Sequence, residues 1–227
     1  FVDDISQKSL EDHYLERKSK VPYQMDGIAV HVDETIEYPE IKDQYPSQMF
    51  AFKTDIDAEI GETVVTEVVW KASKDMKLKP TVLYEKVIFE DADLQRATGH
   101  NARYIVENGI GPGATIKIKR ALQVIPYIME VIKPAPDGPS LPDEKICGKY
   151  EWNDNGVELI LDEENDEVKA GRILHFLTTL KVKKCGKERV TMLVAAGIKT
   201  IKDLLTATIE QLINIPGFGN NLATQII

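Results

Sequence analysis

The spacing of apolar residues changes period along the chain, and each change marks a different kind of element. Over residues 1–20, Leu10, Tyr14 and Leu15 recur among charged positions, which predicts an amphipathic helix, and Pro22 stops it. Two short apolar runs follow, GIAVHV (27–32) and MFAFK (49–53), each read as a strand, with IEYPEIKDQYP between them as loop. From Glu59 to Ile132 the text is β-branched or alternating, in TVVTEVVW (63–70), TVLYEKVIF (81–89), ATIKIKR (114–120) and VIPYIMEVI (124–132). One helix-like piece, NARYIVENG (101–109), interrupts this series, stops at Gly109 and is followed by a GIGPGA turn. About five short strands and one helix in this span suit a small closed Greek-key barrel of the OB type. On pattern alone an SH3-like barrel or an irregular sandwich fits nearly as well.

Beyond the strands, KPAPDGPSLPDE reads as a Pro-rich spacer and KYEWNDNGVELIL (149–161) as a hairpin around Asn155-Gly156. The acidic DEENDE run (162–167) reads as a solvated surface with no chemistry of its own. From Ala170 the pattern is helical and contains a weak repeat: Val182, Gly186 and Val190 stand 33 positions before Ile215, Gly219 and Ala223. Each copy is helix, short hairpin, helix. Lys184 takes the place of Gly217 in the first copy, and Thr208 with Gln211 forms a capping box ahead of the second. In IPGFGNNLA (215–223), two glycines flanking Phe218 ahead of a helix can aim bare N–H groups at an anion, or simply make a helix-capping turn. The repeat favours the first reading, with Ile215 and Phe218 as packing residues and Ala223 allowing two helices to approach.

Charge sharpens this. The 227 residues carry a net charge of −9, which taken whole disfavours a polyanion partner. Residues 169–227, however, hold nine basic and three acidic side chains, whereas 137–168 hold two basic and eleven acidic. Segregation of this kind is a non-specific sign of a polyanion-facing module, the alternative being a merely solvated surface. Cys147 and Cys185 are too few and too far apart for a disulfide framework or a metal finger, so a reducing, intracellular setting is expected. No apolar run approaches the ~18 residues of a membrane helix. Opening on Phe1 and ending on ATQII, the chain is expected to be cut from a longer protein.

The hydrophobic-x-Gly-hydrophobic-Gly-x-x-x-Ala pattern, paired and basic, resembles the tandem helix-hairpin-helix module, whose hairpin amides grip DNA phosphates without reading sequence. Three further stretches resemble the bacterial-type NAD-dependent DNA ligases, closest in wording to viral and phage members. PYQMDGIAVHV (22–32) is similar to the Asp-Gly-hydrophobic strand of their adenylation domain, and MFAFK to the strand ending in an active-site Lys. The most specific stretch runs from LKPTVLYEKVIF through the Arg-Ala-Thr-x-His-Asn element (96–101) to VIPYIMEVIKP, and resembles their OB domain.

The resemblance implies a multidomain α+β protein. Residues 1–56 would be the end of a nucleotidyltransferase (adenylation) domain, 57–136 an OB-fold β-barrel, 137–168 an acidic linker and hairpin in place of a zinc finger, and 169–227 an all-α tandem helix-hairpin-helix domain. It implies sealing of single-strand nicks by adenylyl transfer, from lysyl-AMP to the 5′-phosphate followed by 3′-OH attack, with NAD and Mg²⁺ as cofactors. Lys53 and Asp26 would be catalytic, Asp26, Gly27, His31 and Lys53 would line the nucleotide, and Asp26 would also help hold Mg²⁺. Lys74, Arg96, His100, Asn101, Arg120, Gly186, Lys187, Gly217, Gly219 and Asn220 would meet DNA.

Departures from the family are specific. Lys-x-Asp-Gly, the family's nucleophile motif, occurs nowhere in these 227 residues, so the nucleophile is expected upstream and this piece alone is expected to be inactive. His31 stands where the family has a second catalytic Lys. Leu122-Gln123 replaces Gly-Asp in the turn after Arg120, SKDMK (73–77) makes Lys74 the phosphate contact, and the four-cysteine zinc finger is missing, so no structural zinc is expected. The expected partner is nicked double-stranded DNA, with a monomer and no membrane or protein partner. The alternative is a non-catalytic OB plus helix-hairpin-helix binding or scaffold protein, which His31 and Leu122-Gln123 favour.

Overall fold

The computed structural model describes residues 4–226 apart from 24, 35–47, 55, 57, 90–92 and 121–125. The loop read between the first two strands, and the altered turn at Leu122-Gln123, lie outside the described residues. The chain folds as two compact units, one of residues 1–61 with 118–127 and one of 62–117 with 128–227.

In the first unit, helix α1 (Gln7–Lys20) starts where the Ser6 hydroxyl accepts the N–H of Ser9. It buries Leu10 and Tyr14, and the Tyr14 hydroxyl donates to the Met25 carbonyl at 3.0 Å. Leu15, expected on the same stripe, is 39% exposed. The apolar face is a narrow i, i+4 pair, and Leu15 lies one residue around the helix from it. Strands β1 (Ile28–His31) and β2 (Met49–Phe52) pair antiparallel, with Ile28 opposite Phe52 and His31 opposite Met49.

The second unit holds most of a barrel. Strands β3 (Glu59–Ala72), β4 (Lys77–Ile88), β5 (Asp93–Thr98), β6 (Thr115–Arg120) and β7 (Tyr127–Lys133) run in the order β3-β6-β7-β5-β4, and β4 pairs back onto β3 to close the ring. Helix α2 (Ala102–Glu107) lies between β5 and β6 in sequence. This is the OB fold. Alternation builds its interior: Leu78, Pro80, Val82 and Tyr84 of β4 are buried in turn, and a register shift between Leu83 and Val87 resets the phase so that Val87 is buried next. β5 was not among the expected strands. Its sequence, DLQRAT, buries only Ala97 and so shows no alternation to read. Gly109 ends α2 at φ +60, where a Cβ would stand 2.7 Å from Pro134 Cβ.

Helix α3 (Glu144–Cys147) leads into strands β8 (Tyr150–Trp152) and β9 (Leu159–Leu161), the hairpin read from sequence, with Gly156 at φ +62 in its turn. The hairpin is a continuation of the barrel sheet, since β9 pairs with β4, Ile160 opposite Lys77 and Leu159 opposite Leu78. Arg103 of α2 holds its tip, donating Nε to the Gly156 carbonyl at 2.9 Å and Nη2 to the Asn155 carbonyl.

Five helices complete the unit: α4 (Asp166–Thr179), α5 (Lys187–Ala195), α6 (Ile201–Thr206), α7 (Ile209–Ile213) and α8 (Asn220–Ile226). Ile173, Leu177, Val190, Leu193, Leu204, Leu212, Phe218 and Ala223 form their shared core. The capping box at Thr208 and Gln211 is present, and Thr200 with Asp203 forms another. The DEENDE run is largely solvent-facing, as expected, and also anchors the start of α4. Asn165 caps α4, Glu167 accepts the Ala72 N–H at 2.7 Å, Glu164 pairs with Arg172, and Asp166 lies 3.1 Å from Lys199 Nζ. Acidic side chains suit the first turn of a helix, where the backbone donors are unsatisfied.

Candidate nucleotide and nucleic-acid sites

Lys53 directly follows β2, and Asp26 lies two residues before β1. The antiparallel register therefore delivers both to one end of the ribbon, where Lys53 Nζ donates to Asp26 Oδ2 at 3.0 Å. Both side chains are open to solvent. The lysine hydrogen bond, and then its charge, hold the Asp26 carboxyl below the usual carboxylate range. A depressed carboxyl favours the folded state above its ordinary pKa, and that contribution is lost as pH falls through the folded value. Lys53→Ala is expected to raise the Asp26 pKa back toward the ordinary carboxylate range, read by NMR titration of the carboxyl carbon. An unmoved titration would mean the pair does not form.

Gly27 has a reason in the strand pairing itself. A Cβ there would stand 2.6 Å from the Phe52 carbonyl oxygen and 3.1 Å from Lys53 Cγ. His31 sits at the opposite end of the ribbon, four residues from Gly27 and so about 13 Å along the strand direction. It is exposed, its Nδ1 is 2.8 Å from the Val32 carbonyl oxygen, and it is not brought to Lys53.

The barrel residues separate into two groups. Arg96 is exposed on β5, its carbonyl accepting from the Tyr84 hydroxyl at 3.1 Å, and His100 is exposed at φ +59 with its ring edge-on to Tyr104. Asn101 and Arg120 are otherwise engaged. The Asn101 Oδ1 accepts the Tyr104 N–H at 2.9 Å and caps α2, a role that an Asn directly before a helical run signals in sequence. Arg120 is 10% exposed and turned inward, Nη1 3.5 Å from Glu59 Oε2, so it is no surface cation. A cation closing an alternating strand reads as exposed, and only the three-dimensional neighbour reveals otherwise. Lys74 lies in the β3–β4 turn, which is docked on α4. Its carbonyl accepts Arg172 Nε at 3.0 Å, its Nζ pairs with Asp75 at 2.9 Å, and Gly171 leaves room where a Cβ would be 3.2 Å from the Lys74 nitrogen.

In the helical part, the first hairpin connects α4 to α5 and the second connects α7 to α8. Lys184 and Gly217, matched by the 33-residue repeat, adopt the same left-handed backbone, φ +62 and +83. Gly186 and Gly219 immediately precede α5 and α8, ahead of Lys187 and Asn220. Neither has a positive φ, and a Cβ at either would meet nothing within 4 Å, so internal packing does not demand glycine there. Ile215, Phe218 and Ala223 are buried, as the repeat implied. Cys185 is buried in the helical core, Cys147 closes α3, and neither forms a disulfide. Among the described residues no helix is long and apolar enough to cross a membrane.

Residues 62–139 match the NAD-dependent DNA ligase OB-fold domain, and residues 176–227 match the SAM-like helix-hairpin-helix tandem. A DNA ligase of Acanthamoeba polyphaga mimivirus is 39% identical over 96% of this chain, which covers 33% of that protein. A protein of Invertebrate iridescent virus 3 is 33% identical over 95% of the chain, covering 28% of it. A DNA ligase of Haloferax volcanii is 25% identical over 95% of the chain, covering 32%. The chain thus carries the OB-fold domain of the NAD-dependent DNA ligases and is homologous over nearly its whole length to proteins named DNA ligase. It spans about a third of the length of the curated relatives it matches.

Proposed function

We propose that these residues form the DNA clamp and one edge of the nucleotide site of an NAD-dependent ligase that seals single-strand nicks in duplex DNA. The observation that carries this reading is a ligase-type OB barrel and a helix-hairpin-helix tandem in one chain that is similar over 96% of its length to a DNA ligase. Without a Lys-x-Asp-Gly here, the group that first accepts the adenylyl moiety belongs to another part of the polypeptide.

NAD supplies the adenylyl group when bound. Lys53 fits the phosphate it passes through: an exposed ammonium whose partner is an equally exposed carboxylate can exchange that partner for a phosphate oxygen. Held at the end of β2, it offsets charge that develops on phosphorus during in-line displacement. Asp26 orients Lys53 in the absence of phosphate. As a single carboxylate it would share a Mg²⁺ ion only together with phosphate and water oxygens, which is how Mg²⁺ is commonly held. On the clamp side, the first-turn N–H groups of α5 and α8 lack intrahelical acceptors. The glycines ahead of them leave open space for a phosphate to approach. Arg96 and His100 offer exposed donors on the barrel, and contacts of this kind position duplex DNA without reading its sequence.

Ligation by the complete polypeptide that contains these residues tests the reading. NAD is expected to support sealing of a nicked duplex and ATP is not. Sealing with ATP alone, or none with either, overturns it.

A further inference from the structure

The two hairpins of the helical part match at one left-handed position, Lys184 and Gly217, and differ completely in charge. Residues 211–227, which contain the second hairpin, carry no charged side chain at all. The first hairpin and the residue that opens α5 carry Lys181, Lys183, Lys184 and Lys187, all exposed, and among the described residues none of the four has an ion-pair partner. Two of them occupy backbone that L side chains rarely adopt, Lys181 at φ +58 and Lys184 at φ +62. At the latter's counterpart the chain uses Gly217, the residue for which that conformation carries no steric cost. Arg189 Nη1 donates to the Lys184 carbonyl and fixes the turn from below. The first hairpin therefore accepts local strain where its twin does not, and displays an unneutralised cluster of ammonium groups.

We propose that the first hairpin supplies the electrostatic grip on DNA, taking phosphates through Lys181, Lys183, Lys184 and Lys187, while the uncharged second hairpin adds no ammonium contact. This rests on the DNA-clamp reading above and adds which hairpin supplies the electrostatic attraction. Ammonium and amide contacts have different signatures. Each phosphate neutralised by a lysine releases condensed counterions and steepens the fall of log affinity with log salt by about 0.9. A contact from neutral amides changes affinity with little effect on that slope.

The test is fluorescence anisotropy of the 227-residue chain with nicked duplex DNA over about 50–200 mM salt, a range in which phosphate contacts dominate the change. The double variant Lys181→Gly, Lys184→Gly relieves both positive-φ positions, so it is expected to melt higher than the parent while binding more weakly, on the order of tenfold per lysine at low salt, with a slope shallower by about two. A lysine with a purely structural role could not give greater stability together with a shallower slope. Gly219→Ala, placed where a Cβ meets only open space, is expected to keep its fold and its salt slope. An unchanged slope in the double lysine variant overturns the proposal and leaves the clamp intact. A slope that falls as much in Gly219→Ala also overturns the proposal. Failure of the parent chain to bind at low salt overturns both.

Discussion

In the complete polypeptide, Lys53→Ala is expected to lower the rate of nick sealing by about 10²–10³-fold, the usual consequence of deleting one positioned donor at a centre of developing charge. DNA affinity should change little, because Lys53 belongs to the first unit and the clamp residues to the second. The ammonium is placed by the β1–β2 register, which depends on Gly27 admitting the Phe52 carbonyl, so removing the side chain leaves the ribbon in place. Lys53→Arg keeps the charge but replaces a compact donor by a planar fork and should recover only part of the rate. Single-turnover ligation separates the chemical step from binding. A Lys53→Ala rate within a factor of a few of the parent would remove Lys53 from the chemistry.

The largest effect on stability is expected at Leu78. It is fully buried where β4, α2, β9 and the start of α4 meet, packed with Ala102, Leu159, Leu161 and Val168. Leu78→Ala should cost about 2–5 kcal/mol, the range for deleting a buried leucine side chain. The damage should spread beyond the barrel. The Ala72 N–H to Glu167 and Arg172 to Lys74 hydrogen bonds join the β3–β4 turn to α4 across this cluster, and both should exchange or loosen faster. Urea unfolding gives the first quantity, and hydrogen exchange at the Ala72 amide gives the second. A cost under about 1 kcal/mol would mean that this core collapses without a cavity and does not join barrel to helices.

Much of this architecture can be read from local pattern because local pattern creates it. β4 and β6 are visible as alternation since one face of each strand is buried, and the helical repeat is visible because both hairpins need the same apolar and small residues at the same offsets. β5 is silent in sequence because it buries a single alanine. Attachment of the β8–β9 hairpin to β4 is silent for another reason: Lys77 and Ile160 are far apart in the chain, and nothing local at either position announces a partner. The site residues divide along the same line. Asp26 and Lys53 were nominated only through resemblance, and it is the strand register that brings them to 3.0 Å. Asn101 and Arg120 also came from the resemblance, and their side chains are turned to a helix cap and to the partly exposed Glu59 carboxylate. Type and position tell which side chains could meet a phosphate. Neighbours in space decide which are free to.

That these residues grip duplex DNA through its phosphates is open to one direct binding measurement. Competition binding with two nicked duplexes of equal length and unrelated sequence addresses it. The chain is expected to bind both with affinities equal within a few-fold, each falling linearly on a log–log plot as salt rises. A preference beyond about tenfold, well outside sequence-blind phosphate contact, or an affinity insensitive to salt, would contradict it.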